Sequence, residues 1–365
     1  MVAFRRPDRL REISLNVPSS IIGPIVEVIQ KPCQALESIR ISVNDATGPS
    51  ILVRDAFLGG SATRLREIKL GGISFPFPEM RRVLLSAESL VRLHLSKIPN
   101  GVYFSPDDLV AALSTLVQLE RLSVGFHSAV SRPPISMARR PHQRTVLPSL
   151  TFLDFYGVTE YLEEFVARID LPALHQFIIT LFNQIIFEIP QFVELIPRLK
   201  ALLSPTVCNI THFAQSVSLF LNEEGAPQSE RGFFETSCRR LDWQLSFVTE
   251  ISTQLSPLLS SVRIFNIEKD YNSELPTGEE DVDSTQWLEL FQQFPHVRLV
   301  SVNVEQYVPG LVQALVTEDV AEGILPELTS LRLEGYRQSP STVETVEQLV
   351  TTRRLSGRPI DVYPL

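Results

Sequence analysis

Along this chain, short phrases of the form apolar-x-x-apolar-x-apolar keep returning. They read Leu10-Ile13-Leu15, Leu36-Ile39-Ile41, Leu65-Ile68-Leu70, Leu90-Leu93-Leu95, Leu119-Leu122-Val124, Leu150-Leu153-Phe155 and Leu174-Phe177-Ile179. After a break the pattern resumes at Val262-Phe265-Ile267, Val297-Val300-Val302 and Leu328-Leu331-Leu333. Apolar and polar residues alternate inside each phrase, which in an extended strand sends side chains to opposite faces. The segments between the phrases are amphipathic and open with helix-start chemistry. The clearest is Ser105-Pro106-Asp107-Asp108, where Ser105 can accept from a free backbone N–H, Pro106 suits the first helical position and the acids oppose the helix dipole. Other helices are predicted to begin near Ser19, Ser50, Pro78, Thr159, Pro190, Ser246, Ser284, Pro309 and Ser341.

Successive phrases start roughly 24 to 35 residues apart, the period of a leucine-rich repeat. The repeating unit is then strand, helix, parallel strand, and right-handed crossovers place all helices on one side of the sheet. The expected fold class is an α/β leucine-rich-repeat solenoid, with a curved parallel sheet on the concave side, helices on the convex side and an irregular middle. A single domain over 1–365 is expected, with regular repeats at about 1–200 and 260–365. In the variant segment, about 200–260, Val207 to Phe213, Val217 to Leu221 and Phe233 to Leu245 read as strands joined by hairpin-like connections. The Asn that often follows the last Leu of such a repeat occurs at Asn44, whereas Ile73, Ile98 and Val158 take its place elsewhere.

This geometry names a candidate surface. Residues flanking the middle and last apolar positions of a phrase face the open side of the sheet: Glu12, Ser14, Ser38, Arg40, Glu67, Lys69, Arg92, His94, Arg121, Ser123, Phe152, Asp154, Tyr156, Gln176 and Ile178. From Arg40 through Lys69, Arg92 and His94 to Arg121 the column reads as mostly basic. At Phe152, Tyr156 and Ile178 it turns aromatic and apolar, the mixture that protein-binding surfaces favour. Two insertions follow repeat strands and are expected on one rim. The first is Pro-rich and carries Arg132, Arg139, Arg140 and Arg144, with no acid between Glu120 and Asp154; the second, Glu268 to Asp283, carries seven acids and one Lys. The basic loop is a candidate for steering an acidic partner.

Composition narrows the function classes. The chain has 365 residues, 44% hydrophobic, with a formal net charge of −9. That is too apolar for disorder and too acidic for nucleic acid as main partner. Cys33, Cys208 and Cys238 contain no CxxC pair, so neither a disulfide framework nor a thiolate zinc site is expected. No signal-peptide-like start and no membrane-length apolar stretch is found, which leads to an expectation of a cytoplasmic or nuclear protein without membrane attachment. Gly59-Gly60 and Gly71-Gly72 lack a phosphate-loop context, and no nucleophile elbow, HExxH or calcium loop occurs. The six His are scattered singly, Glu163-Glu164 read as a solvated helix face, and Trp243 and Trp287 read as core. No catalytic residue, metal or cofactor is therefore expected, and the chain reads as non-enzymatic.

Longer runs carry a family likeness. Phe57-Leu58-Gly59-Gly60-Ser61-Ala62-Thr63-Arg64-Leu65-Arg66, Val166-Ala167-Arg168-Ile169-Asp170, Leu181-Phe182-Asn183-Gln184-Ile185-Ile186-Phe187 and Cys238-Arg239-Arg240-Leu241-Asp242-Trp243-Gln244-Leu245 resemble the F-box and leucine-rich-repeat proteins of mushroom-forming fungi. The likeness also takes in the basic insertion and the closing Arg353 to Ile360. It implies a repeat domain that presents substrates to a cullin ubiquitin ligase, whose Skp adaptor docks on an N-terminal F-box. Here the first repeat strand starts at Leu10, leaving no room for an F-box. The expectation is either the recognition half of a longer product or a paralogue without the adaptor-binding half. The resulting reading is a protein-recognition module, with the adaptor as partner only if an F-box lies upstream. The alternative is a repeat scaffold with no ubiquitin link.

Overall fold

The computed structural model describes residues 9–43, 51–52, 57–74, 76–128, 144–182, 187–196, 205–224, 232–238, 240–270, 284–317, 324–333 and 340–364. The chain packs as two compact units, residues 1–182 with 189–201, and residues 183–188 with 202–365.

In the first unit all seven phrases are strands: β1 (Glu12–Val17), β2 (Ser38–Val43), β3 (Glu67–Gly71), β4 (Arg92–Ile98), β5 (Arg121–Phe126), β6 (Phe152–Gly157) and β7 (Gln176–Leu181). Each pairs in parallel with the next. Helices α1 (Gly23–Ile29), α2 (Phe77–Ser86), α3 (Pro106–Leu113), α4 (Thr159–Val166) and α5 (Pro190–Leu195) supply the other layer. Ser105 caps α3 as its sequence predicts: its hydroxyl accepts from Asp108 N at 3.1 Å while the Asp108 carboxylate returns to Ser105 N. The α4–α5 junction differs from expectation. Glu163, read as part of a solvated face, accepts from Gln191 N at 2.7 Å and Phe192 N at 3.0 Å, because α5 has no capping side chain of its own. The helix expected near Ser50 is also replaced. Ile51–Leu52 pairs with Ile73–Ser74 as a short strand, and Phe57–Gly60 is a 3-10 turn with Leu58, Gly59 and Gly60 at positive φ. A Cβ on Gly59 would stand 2.7 Å from Pro32 Cγ, so the glycine lets two backbones meet there.

The register of the repeats is set where each strand begins. Arg11 O accepts from both Glu37 N and Ser38 N; Glu37 O accepts from Arg66 N and Glu67 N; Arg66 O accepts from Val91 N and Arg92 N. The same shared acceptor recurs at Val91, Glu120 and Thr151. Just before it, the first Leu of the phrase closes a turn onto the carbonyl three residues earlier, as in Leu36 N to Cys33 O and Leu119 N to Leu116 O. That earlier residue is apolar and buried in every repeat where the turn forms in this unit: Cys33, Ala62, Ala87, Leu116, Leu147 and Leu171. The true phrase is therefore longer by one buried position. Behind the sheet, rings make contact in series, Phe77 with Phe104 at 4.6 Å and Phe126 with Tyr161 at 4.6 Å between centroids.

The second unit keeps the last three phrases as parallel strands and begins with a meander. β8 (Val207–His212), β9 (Ser216–Asn222) and β10 (Gly232–Ser237) pair antiparallel in succession. β8 then pairs in parallel with β11 (Ile264–Lys269), followed by β12 (Leu299–Asn303), β13 (Ser330–Leu333) and a closing β14 (Asp361–Pro364) that no phrase announces. Both units thus have leucine-rich-repeat architecture, the second departing from it at the meander. Its helices are α6 (Leu241–Gln254), α7 (Ser256–Leu259), α8 (Ser284–Phe291), α9 (Val308–Thr317) and α10 (Pro340–Leu355). The strand expected over Phe233 to Leu245 stops at Ser237, and the helix expected near Ser246 begins at Leu241. Trp243 in consequence lies on the outer side of α6, 51% exposed, and is not core, whereas Trp287 is fully buried. The three cysteines are buried free thiols.

One buried polar cluster stands out in this unit. Gln244 Nε2 donates to Cys238 O at 2.7 Å and Phe213 O at 3.1 Å, which turns its Oε1 towards His212 Nδ1 at 2.7 Å. His212 Nδ1 therefore carries the proton, and its Nε2 is a bare acceptor with no partner. The Tyr307 hydroxyl lies 3.2 Å from the same Nδ1. Burial holds the imidazole at about 4, against an ordinary 6.5, while the Gln244 contact works weakly the other way.

Two outcomes follow from this packing. Leu93, 1% exposed, sits behind β4. Leu93→Ala should cost about 2–5 kcal/mol, and Leu93→Asp should abolish a cooperative thermal transition by burying an unpaired charge; a soluble Asp variant with unchanged melting would show the register to be wrong. His212 gives the second. Its neutral form is the folded one, so the unfolded chain takes up the proton first. Stability of the second unit should be full above about pH 6.5 and fall, by on the order of 3 kcal/mol in all, as pH drops towards 4. Hydrogen exchange in Val207–His212 between pH 7 and 4.5 measures it, and His212→Gln should flatten the pH slope while lowering stability at pH 7.

Candidate functional site

Strict register in the first unit turns the outward side chains into rows. One row runs Glu12, Ser38, Glu67, Arg92, Arg121, Phe152, Gln176. The next runs Ser14, Arg40, Lys69, His94, Ser123, Asp154, Ile178. Beyond them Asn16, Ser42, Gly71 and Ser96 align, and Gly125, Tyr156 and Thr180 align. The β4–β5 register slips between Leu95 and Ile98, where Lys97 has a φ of +55°. The structure thus brings Arg40, Lys69, Arg92, His94, Arg121, Phe152, Asp154, Tyr156 and Ile178 onto one face.

The column is not the basic strip that its Arg and Lys residues suggest. Glu67 is its hub. Arg40 holds that carboxylate in a fork, Nε to Oε1 at 2.8 Å and Nη2 to Oε2 at 2.7 Å, and Arg92 Nη2 adds a third bond at 2.9 Å. Arg40 Nη1 also reaches Glu12 at 3.1 Å. Only 12% of the Glu67 side chain is exposed, and the Arg40 hydrogen bond leads in pulling its carboxyl down to about 2. A two-residue fork with a third charged donor is the strong form of ion pairing. Two of the four cations in this stretch are therefore neutralised in place. The alternation rule put Glu12 and Glu67 on this face, but pairing across rows is invisible along the chain.

The other half of the face is aromatic. The Arg121 guanidinium lies over the Phe152 ring, 4.1 Å from its centroid. Ser123 donates to Asp154 Oδ2 at 2.6 Å, which fixes the carboxylate between the ring rows. Tyr156 meets Phe182 edge to face at 4.7 Å. Phe152, Tyr156, Ile178 and Phe182 are each half-buried, with apolar surface towards solvent. Phe182 escaped the sequence reading although it continues the alternation Gln176, Ile178, Thr180 by one more step. His94, between the two halves, is held below its ordinary pKa, first by burial and then by Lys69, with Asp154 opposing.

The insertion residues lie only partly among the described residues. Arg132, Arg139 and Arg140 lie outside the described residues, as does most of the acidic segment; Arg144 is half-buried just before Thr145–Val146, which pairs with Ile169–Asp170. Among the described residues no group of three or more His, Cys, Asp or Glu could hold a metal ion. No helix among them is long and apolar enough to cross a membrane. The face offers forks, hydroxyls and rings.

No family model matches the chain, and no curated protein matches it. Among solved structures it is similar to the leucine-rich repeat-containing protein LegL7 from Legionella pneumophila, with 12% identity and a TM-score of 0.36, over 92% of this chain and 97% of that one.

The ladder has a testable acid limb. The Glu67 carboxyl is lower in the folded protein, at about 2, than its free value of 4.5, so its contribution is complete above pH 4.5 and is lost as pH falls towards 2. Glu67→Gln should remove that limb and lower the melting temperature at pH 7 by a few degrees, since Arg40 and Arg92 then face each other without the carboxylate. A thermal scan series from pH 7 to 3 decides it; identical pH profiles for the two proteins would show the fork to be without effect.

Proposed function

We propose that the chain is a non-enzymatic protein-recognition module whose partner docks on the open face of the first unit. The observation that carries this reading is the contiguous group Arg121, Phe152, Asp154, Tyr156, Ile178 and Phe182, half-buried rings and an aliphatic residue beside one cation and one fixed carboxylate. Aromatic residues and Arg concentrate in binding hot spots because they bury much area at low conformational cost. Lys69, His94, Arg92 and Arg40 extend the surface as a polar rim, and the Arg132, Arg139, Arg140 and Arg144 loop adds the positive charge that steers an acidic partner. The finer reading is the substrate-binding part of an F-box-type ubiquitin ligase in the cytoplasm or nucleus. Its support is the sequence resemblance to the fungal F-box and repeat proteins, and the adaptor is a partner only if an F-box precedes this chain.

The test is affinity capture from the native cell with three baits: the wild type, a Phe152→Ala/Tyr156→Ala double variant, and Trp243→Ala on the second unit. A protein held by the wild type and by Trp243→Ala, but reduced about tenfold or more by the double variant at unchanged melting temperature, is the expected result. Equal capture by all three would place recognition elsewhere. Replacing the four loop Arg by Ser should slow association with that partner at low salt and change its dissociation little. Ubiquitylation of the captured protein that depends on this chain would support the ligase reading, and its absence the plain scaffold.

A further inference from the structure

On the open face of the first unit, positive charge and its compensation are unevenly placed. The two rows that begin at Glu12 and Ser14 hold the cations Arg40, Lys69, Arg92 and Arg121 and the acids Glu12, Glu67 and Asp154. Glu12 and Glu67 are taken by Arg40 and Arg92, and Asp154 accepts from Ser123 at 2.6 Å. Lys69 and Arg121 form no ion pair among the described residues. Both are exposed. Arg121 lies flat on the Phe152 ring, which leaves the edge of its guanidinium free to donate. The two rows together carry one positive charge in excess, and the cations without a carboxylate are these two.

His94 stands between them. It pairs in register with Lys69 on β3 and Ser123 on β5, while Arg121 on β5 pairs with Arg92, its neighbour in the adjoining row. Strands lie about 4.8 Å apart, so Lys69 and Arg121 flank the imidazole from opposite sides. The ring is half-buried and forms no hydrogen bond among the described residues. The charged groups around it are Glu67 and Lys69 from β3, Arg92 on its own strand and Arg121 from β5, with Arg40 and Asp154 one strand further out on either side. Burial first, and then Lys69, hold its pKa down against Asp154, so in the free protein it is neutral at pH 7. The next row holds the small residues Ser42, Gly71 and Ser96, where another chain can come close.

We propose that Lys69, His94 and Arg121 together seat one acidic side chain of the docking partner. This inference rests on the open-face reading of the first unit and deepens it. A single carboxylate offsets the single excess charge, whereas a phosphoryl dianion would overshoot it. The imidazole supplies an N–H donor, Lys69 a point charge and Arg121 the outer edge of its fork. Phe152 lies two strands beyond His94, about 10 Å away, a distance that three steps of extended chain span. The partner segment then has the form of an acid, two intervening residues and a large apolar residue. An anion beside His94 favours its charged form, so binding takes up a proton. The bound imidazole therefore titrates higher than the free one, and affinity rises as pH falls through that range.

The probes are three peptides that differ at one residue: acetyl-Glu-Ser-Gly-Phe-amide, its Gln twin and its phosphoserine twin. Each is titrated into the full chain while the imidazole signals are followed by nuclear magnetic resonance, with His94→Gln identifying the His94 signal by its loss. We expect the Glu peptide to bind at least about threefold tighter at about pH 5.5 than at about pH 7.5, and to raise the His94 titration. The Gln twin should bind more weakly and without that dependence. The Glu67 carboxyl, held at about 2, stays charged over this range. His94→Gln should abolish the pH dependence, which also separates it from the titration of His212. Lys69→Gln and Arg121→Gln should each weaken the Glu peptide by about threefold or more at both pH values, at unchanged melting temperature. No binding up to about 10 mM, an unchanged pH slope in His94→Gln, or equal affinity for the Gln twin would each overturn the proposal. Tighter binding of the phosphoserine twin at the higher pH would overturn the choice of a carboxylate. Should partner capture depend on Phe152 and Tyr156 while these peptides fail, the open-face reading stands and the acidic seat alone is lost.

Discussion

The structure depends on one small device repeated at the entrance of nine parallel strands among the described residues. A single carbonyl accepts two successive N–H groups of the next repeat, immediately after a tight turn pinned by two buried apolar residues three apart. Side chains on a strand alternate with period two, so a slip of one residue would exchange the buried and open faces. The shared acceptor and the turn fix the residue at which each strand enters the sheet and so exclude that slip. In the second unit the device recurs at Thr206, Arg263 and Arg298, with Leu259, Phe294 and Leu325 as the buried turn residues. It runs through the parallel pairs β8–β11, β11–β12 and β12–β13, whereas at β14 Thr329 O accepts from Asp361 N and the antiparallel meander uses hairpin geometry.

That fixed register is what makes the open face of the first unit a surface with neighbours in two dimensions. Arg40, Glu67 and Arg92 are 27 and 25 residues apart along the chain and yet share one carboxylate. Arg121 and Phe152 are row neighbours, which places the guanidinium over the ring. Neither arrangement depends on loops. A face built only on strands is already organised before a partner arrives, so little ordering entropy is lost on contact.

The phrases were legible because burial behind a sheet imposes a period on sequence, and all ten are strands. The Ser105 cap was legible because its chemistry is local. What was missed is of three kinds. The buried turn position before each phrase is filled by Cys, Ala, Leu or Phe, a range too broad to notice until the turn hydrogen bonds are seen. The α6 start was misplaced because Leu241, Trp243 and Leu245 alternate like a strand, while their apolar neighbours Phe247, Val248 and Ile251 supply the helical face. And the charge of the open face was misjudged because Glu67 counts once along the chain but meets two Arg in space. Phe182 is a different case, since the alternation already pointed to it.

The ladder also argues for where on this face a partner gains most. Covering Arg40, Glu67 and Arg92 would desolvate charges whose hydrogen bonds are already made among themselves, so a partner removes their water and replaces little. Covering Phe152, Tyr156, Ile178 and Phe182 removes apolar surface from water at roughly 25 cal/mol per Å². Arg121 sits at the boundary with its guanidinium flat on Phe152, a position from which its edge can still donate outward. On the proposed reading, the paired charges are a border that fixes orientation and discourages wrong partners, and the rings are the part that holds.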